Sequence, residues 1–490
     1  MTSLPPLSAR KISRHNLLVL SDVHLGSDLV QHSRPNAPLR GKNSLLRDRD
    51  FVRLLKWYQR NRRGSLPWRL IIAGDFVDFI GMSVPALRRG HIKTSLTPEE
   101  HKHGLGSAED HARAKLELVL RHHRGVFRAL ARFVADGNTL VVLRGNHDVD
   151  LHWESVQGDF VRCLQKFAPV SRDEVEFAPW FYYERDVVYV EHGHQYDHFC
   201  SQKHLLHPVN PRDHRRLSQS VTDVLLRYIV RPTQGMLEAG HDRAGFLDYV
   251  RFATRLGFGG AARLGQRFTF AVVEMIRIYR AQFSEAAAWI QREHERKLKL
   301  LGDAKHISVE RLRALARLQK PPVTQSLVLI LASVMLDRVA VALLSVSAVI
   351  AVAIRTDSWQ RSLLFSGIIA LITSITAVVW RKLRGSLDAS ADLRNRAPLV
   401  LQLFPAAFIV MGHTHMPEVS QAAPNQTYVN LGAWAEEDAT DGGPSALPAT
   451  RTHLVLECQG EVPVGELLRW GEHAPEAFIS GYAAAPSQRS

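Results

Sequence analysis

The chain is poor in cysteine, with three thiols, Cys163, Cys200 and Cys458, in 490 residues. An odd, widely scattered set excludes a disulfide scaffold and a thiolate metal cage, and it fits a reducing compartment. No long apolar run opens the chain. Residues 1–16 are polar and basic, and the first apolar stretch, Leu17 to Leu20, is short. A secretory leader needs about 7–15 apolar residues before a small-residue cleavage site. None is expected, and the stretch reads as a buried strand. Acidic charge is in deficit, 48 Asp and Glu against 62 Lys and Arg, for a net +14. That balance admits nucleic acid, an anionic membrane surface or a phosphate-bearing substrate, without choosing among them. There is no internal repeat. What the chain does have is an apolar fraction of 46%, which excludes disorder, and 24 histidines, which suggest metal chemistry.

The first 200 or so residues alternate strand-like and helix-like segments, the texture of an α/β domain. Strands are expected at Leu17–Ser21, Arg69–Ala73, Thr139–Leu143 and Asp186–Glu191. A single helix is expected from Glu109 to Ala135, capped by Ser107 with Asp110 three residues on, and ended by Gly137. Residues 81–106 read as a long loop. From Asp213 to Lys320 strand patterns give way to basic, amphipathic helical runs. Strands return at Ala407–Met411, Thr427–Leu431 and Thr452–Glu457. The expected division is a core in two parts, 1–212 and 386–475, split by a basic helical insert, 213–320, and a membrane hairpin, 321–385, with a flexible tail, 476–490.

The hairpin rests on two uncharged apolar runs, Val339–Ile354 and Ser362–Trp380. A spanning helix needs about 20 such residues, with a range of roughly 17–25. Trp359 and Trp380 bracket the second run as an interfacial belt would, and Arg381, Lys382 and Arg384 follow it. Ser326–Leu336 is too short to span alone.

Five short motifs each follow a strand-like run. They are Asp22-Val23-His24, Gly74-Asp75-Phe76-Val77-Asp78, Gly145-Asn146-His147-Asp148, His192-Gly193-His194 and Gly412-His413-Thr414-His415. In α/β sheets, sites gather outside the carboxyl ends of strands. Asp, Asn and His supply oxygen and imidazole donors suited to Mn, Fe, Zn or Mg. A carboxylate can hold two such cations about 3.5–4 Å apart for in-line displacement at phosphorus. An Asp-x-His triplet alone carries little weight; the ordered set of five carries much.

This set resembles the calcineurin-like metallophosphoesterase superfamily, with its DxH, GDxxD, GNHD/E, GH and GHxH blocks. The spacing from Asp22 to Asp75 and the His192-Gly193 element look most like the UDP-2,3-diacylglucosamine hydrolase branch. The resemblance implies an α/β/β/α sandwich, here interrupted by the helical insert. It implies two divalent cations, Mn first among them. Asp22, His24 and His415 would hold one cation, Asn146, His192 and His413 the other, and Asp75 would bridge both. His147 would face the phosphate, Asp148 would orient His147, and the nucleophile would be a metal-bridging hydroxide. Asp78 is a candidate for a supporting role, and His194 reads more as a loop residue than a ligand. His91, His101, His103, Arg88-Arg89, Arg212 and Arg215-Arg216 are candidates for substrate contacts.

His192 precedes the apolar pair, while His413 and His415 follow it. Ligands of one site must lie on one side of a bilayer, so two crossings satisfy the set. The positive-inside rule then places the catalytic domain on the cytoplasmic side of the inner membrane. The expected activity is hydrolysis of a phosphodiester, pyrophosphate or phosphomonoester, with a lipid-linked or nucleotide substrate favoured by a membrane anchor. A nuclease and a non-enzymatic membrane scaffold are the alternatives. A membrane hairpin argues against nucleic acid, and a complete ligand set argues against the scaffold.

Overall fold

A computed structural model of the chain describes residues 15–29, 42–85, 92–233, 257–333, 345, 347–352, 354–355, 358–383, 388–435, 450–460 and 462–478. Two sheets form its centre. In the first, β1 (Asn16–Leu20), β2 (Trp68–Ala73), β3 (Thr139–Leu143) and β4 (Val175–Ala178) run parallel. The second contains β5 (Phe181–Glu184), β6 (Val188–Glu191), β9 (Phe408–Met411), β10 (Glu418–Ala423) and β11 (Gln426–Asn430), in the order β10-β11-β9-β6-β5. A small hairpin pairs β7 (Val209–Asn210) with β8 (Asp213–Leu217). Beyond β1 the first sheet continues antiparallel through β12 (Thr452–Glu457), β13 (Val464–Trp470) and β14 (Pro475–Ala477).

The alternation of side chains along each strand dictates the layers. Leu17, Val19, Ile71, Ala73, Val141 and Leu143 face Val188, Val190, Val410 and Val429 of the other sheet. Leu18, Leu20, Leu70, Ile72, Leu140 and Val142 face the other way, toward a helical layer. That layer contains α1 (Lys42–Arg60), α3 (Glu109–His122), α4 (Arg124–Ala135) and α5 (Glu154–Gln165); the short α2 (Pro98–His103) precedes it. On the outer face of the second sheet, Tyr189, Ile409, Met411 and Tyr428 pack with Leu298, Ile307, Leu312 and Leu315 of the insert and with Leu393, Val400 and Leu401 of helix Ala389–Leu403. Burying each such Leu contributes about 1.5–3 kcal/mol as an upper figure. The insert helices Glu285–Lys305 and Val309–Leu318 are therefore docked on the sandwich. Central sheets flanked by helices are the expected arrangement.

Several expectations need correction. The helix expected from Glu109 to Ala135 breaks at His123, whose backbone leaves helical geometry (φ −100°, ψ 30°) while its ring is buried on Asp48 of α1. Ser107 does not cap that helix; Ala108 holds the cap position, and Ser107 Oγ accepts from Leu217 N. The loop over 81–106 contains α2, closed by a capping box in which Thr97 and Glu100 bond each other's backbone N–H. The Thr-Pro-x-Glu pattern is a sequence signature of a helix start and was legible. Asp213–Leu217 is a strand, too polar to show alternation. The tail expected to be loose from 476 begins as β14, while 479–490 lie outside the described residues.

The two membrane crossings are not supported: among the described residues no helix is long and apolar enough to cross a membrane. Half of the first arm, 339–354, lies outside them. The second forms one continuous helix, Trp359–Leu383, and Ser345 Oγ lies 2.7 Å from Thr373 Oγ1 of that helix.

One buried residue sets a pH dependence. His453 on β12 is fully buried against Tyr58, 2.8 Å from its hydroxyl, and burial pushes its pKa down to about 3. An unfolded chain holds a histidine near roughly 6.5. Between those values the unfolded state takes up a proton that the folded state refuses. The stabilisation is present above pH 6.5 and is lost as pH falls, about 2 kcal/mol by pH 5. Urea unfolding of His453→Gln should show a smaller loss of stability between pH 7 and pH 5 than wild type, by about that amount.

Candidate metal centre

All five motifs emerge at one edge of the sandwich, where β1, β2, β3, β6 and β9 end. The backbone is forced into tight turns there. Asp22, His24, Asp75, His413 and His415 all have left-handed φ, between 48° and 71°. Such a conformation costs a non-glycine residue about 1–3 kcal/mol and concentrates at functional sites. The motif glycines admit one another's ligands. A Cβ at Gly74 would lie 2.5 Å from the His192 ring, and one at Gly412 would lie 2.6 Å from Asp22 Oδ2.

Two donor sets converge, Asp22 with His24 and His415, and Asp22 with Asp75 and His192, each with its donor atoms within 4.8 Å of one another. Asp22 Oδ1 sits 3.2 Å from His415 Nε2 and 3.8 Å from His24 Nε2. Asp75 Oδ2 lies 3.1 Å from His192 Nε2 and 3.9 Å from His24 Nε2, so one carboxylate faces both sets. His192 Nδ1 donates to the Ala73 carbonyl at 2.9 Å, which leaves Nε2 as the lone-pair nitrogen, 3.0 Å from Asn146 Oδ1. His413 Nε2 is 3.1 Å from Asp197 Oδ2, which likewise leaves Nδ1 with its lone pair, and its ring centroid is 5.3 Å from that of His192.

These residues fit cations. Asp22 Oδ1 and His24 Nε2 are buried and make no hydrogen bond among the described residues. Electrostatics agree. Burial works against the charged form of His192, yet Asp75 and Asp22 carry its pKa up to about 9. Burial also opposes the charge on Asp22 and Asp75, yet the surrounding imidazoles hold both well below the usual carboxylate range. A negative field that raises a buried imidazole in this way is the field that attracts a divalent cation.

Asp148 does not orient His147. Its carboxylate accepts Gly145 N at 2.6 Å and Phe76 N at 2.8 Å, tying the second and third motifs together. Burial and then Asp75 push its pKa up to about 7. The partner of His147 is Asp78, whose Oδ1 lies 2.8 Å from His147 Nδ1. Asp78 also accepts Gly81 N at 2.6 Å and faces Arg231 at 3.4 Å. Burial opposes its charge, but His147 and Arg231 keep it ionised. The His147 ring lies 4.6 Å from that of His24, with a ring nitrogen within 4.8 Å of the donors of His24 and Asp75.

The remaining candidates fall away from the centre or into internal pairs. His194 is buried, bonded through Nε2 to Gln195, with its ring 5.3 Å from that of His192. Arg216 is buried on Glu100 at 2.8 Å and 2.6 Å, Arg215 pairs with Asp213, and Arg212 pairs with Glu274. The Arg216–Glu100 and Arg212–Glu274 pairs tie the insert to the core, and all three guanidinium groups are engaged by carboxylates. His101 is exposed at the end of α2, and His103 packs on Tyr228. Arg88, Arg89 and His91 lie outside the described residues. Asp197 and Arg231 went unread, because no motif spacing marks a carboxylate five residues past His192 or an arginine in the insert.

Residues 15–242 match the calcineurin-like phosphoesterase family. The chain thus carries the domain of a metal-dependent phosphoester hydrolase. No curated protein matches the chain. The matched segment of the phosphoesterase includes four of the motifs and stops before the fifth, which the fold brings back through parallel pairing of β6 with β9. Because Asp197 fixes His413, Asp197→Asn in this phosphoesterase should weaken metal affinity about 10–100-fold. Metal titration of activity should show the loss, with recovery in excess metal.

Proposed function

We propose that the phosphoesterase binds two divalent cations, Mn first among them, and hydrolyses a phosphodiester, pyrophosphate or phosphomonoester of a lipid-linked or nucleotide substrate. The observation that carries the two-cation reading is the single Asp75 carboxylate facing both donor sets. Asp22, His24 and His415 would hold one ion, Asn146, His192 and His413 the other, and Asp75 both. When bound, the ions supply an activated water and neutralise phosphate charge. In the hydrolysis a water oxygen bonds to phosphorus and the bond from phosphorus to the departing oxygen breaks, an ester oxygen in a phosphoester or the bridging oxygen in a pyrophosphate. His147, its Nδ1–H held by anionic Asp78, offers Nε2 to the phosphate, stabilises developing charge and gives a proton to the departing oxygen.

The lipid side of the proposal draws on exposure. Leu363, Leu364, Phe365, Ile368, Leu371 and Ile372 on helix Trp359–Leu383 are all exposed, Leu363 and Leu364 by 62% each. An apolar patch of this kind marks a binding surface. The basic residues next to it in sequence, Arg355 and Arg361 before and Arg381, Lys382 and Arg384 after, suit anionic headgroups, and the buried free thiols suit the cytoplasmic side of the inner membrane. Such a location favours a substrate like that of the UDP-2,3-diacylglucosamine hydrolases. The test is a panel of UDP-lipids, phosphomonoesters, cyclic nucleotides and DNA with each divalent metal, beside flotation with anionic vesicles in 1 M salt. The proposal expects turnover of a lipid-linked pyrophosphate and salt-resistant flotation that Leu364→Asp with Ile368→Asp abolishes. Preferred cleavage of DNA, or no flotation, contradicts it.

A further inference from the structure

Three donors outside the five motifs converge at the break between α3 and α4. Asp28, four residues beyond His24, meets His122 and His123, with the three donor atoms within 4.8 Å of one another. Adjacent residues on a continuous helix point in different directions. The break at His123 removes that constraint, and the two imidazoles stand with centroids 5.1 Å apart at 80°. His122 Nε2 is 3.3 Å from Asp28 Oδ2, and His123 Nε2 is 3.6 Å from Asp28 Oδ1.

His123 is fully buried, and neither its Nε2 nor Asp28 Oδ1 makes a hydrogen bond among the described residues. Its other nitrogen, Nδ1, lies 2.8 Å from Asp48 Oδ2. A carboxylate that holds one imidazole N–H leaves the opposite nitrogen as a lone-pair donor, the arrangement found behind ligating histidines. A protonated His123 would instead place Nε2–H within bonding reach of Asp28, and 3.6 Å is too long for that. Tetrahedral ligation with bonds of about 2.0–2.1 Å spaces ligands by roughly 3.3 Å, close to both separations. Among the described residues, two carboxylates, Asp28 and Asp48, stand beside the site, and Arg47 reaches Asp48 at 3.5 Å.

We infer that Asp28, His122 and His123 form a third metal site, for a zinc-class divalent ion, distinct from the catalytic pair. The ion would be structural. It ties the loop leaving the first motif to the α3–α4 junction, while Arg47 Nη1 holds the His24 carbonyl at 2.9 Å from the same side. Two imidazoles and one carboxylate favour zinc or cobalt over magnesium or calcium.

The experiment is metal counting by mass spectrometry on purified full-length protein, stripped and then dialysed against Co²⁺, with visible absorption recorded. Wild type should hold three equivalents per chain, with the intense absorption of tetrahedral cobalt. His122→Gln and Asp28→Asn should each hold one fewer, and His122→Gln should hydrolyse a model phosphodiester within about twofold of wild type. Asp75→Asn, which disturbs the catalytic pair, should keep the third equivalent and its spectrum, so the two assignments fail separately. Wild type with two equivalents or fewer overturns the site, as does an unchanged count in a folded variant.

Discussion

Replacing Asp75 with Asn should lower kcat/KM for a model phosphodiester by about 10²–10³-fold, a loss of the order seen when charge stabilisation in a site is removed. Asp75 Oδ2 faces His192 at 3.1 Å and His24 at 3.9 Å, so one oxygen looks onto an imidazole of each donor set. The amide keeps the shape of the side chain and can still accept the His147 backbone N–H, which Asp75 Oδ1 receives at 2.8 Å. The fold is therefore retained while one full negative charge is lost. Steady-state kinetics and metal content measured together check this. Metal content should fall with the rate, and circular dichroism should not change.

The second large effect is at His147. Its replacement by Gln should cost about 10²–10⁴ in kcat, the range for a general acid, with KM little altered. Asp78→Asn should cost less, about 10–100-fold, because it loosens the orientation of His147 without removing the ring. The Asp78 variant should also shift the pH profile of kcat, which a merely structural residue would leave alone. Asp148→Asn provides the contrast. Its carboxylate receives two backbone amides, so an Asn in its place satisfies one and meets the other with an N–H. A stability loss of about 1–3 kcal/mol is expected there.

The site was largely legible because its chemistry is local. Each motif is a short turn after a strand, and strand ends are marked by apolar runs such as Leu70–Ala73 and Phe408–Met411. The partners behind the ligands were less legible. Asp78 and Asp148 lie in equivalent-looking places beside His147, and only the turn geometry decides that Asp78 meets Nδ1 while Asp148 reaches back to Phe76. Asp197 meets His413 across 216 residues, a contact no local pattern encodes. The same distinction holds for the fold. Alternating strands announced their faces, whereas β8, with Asp213, His214, Arg215 and Arg216, is held by ion pairs to Glu100 and has no apolar period to read. The break at His123 is likewise a tertiary event, set by Asp48 on α1.

The central claim is that the five strand ends form one metal-dependent phosphoester-cleaving centre. The most direct measurement is hydrolysis of bis(p-nitrophenyl) phosphate by purified full-length protein before chelation, after chelation, and after Mn²⁺ is added back. The expected result is turnover that chelation abolishes and that returns once the catalytic centre has taken up about two equivalents of metal. Turnover that survives complete metal removal, or none with any divalent metal across the substrate panel, would contradict it.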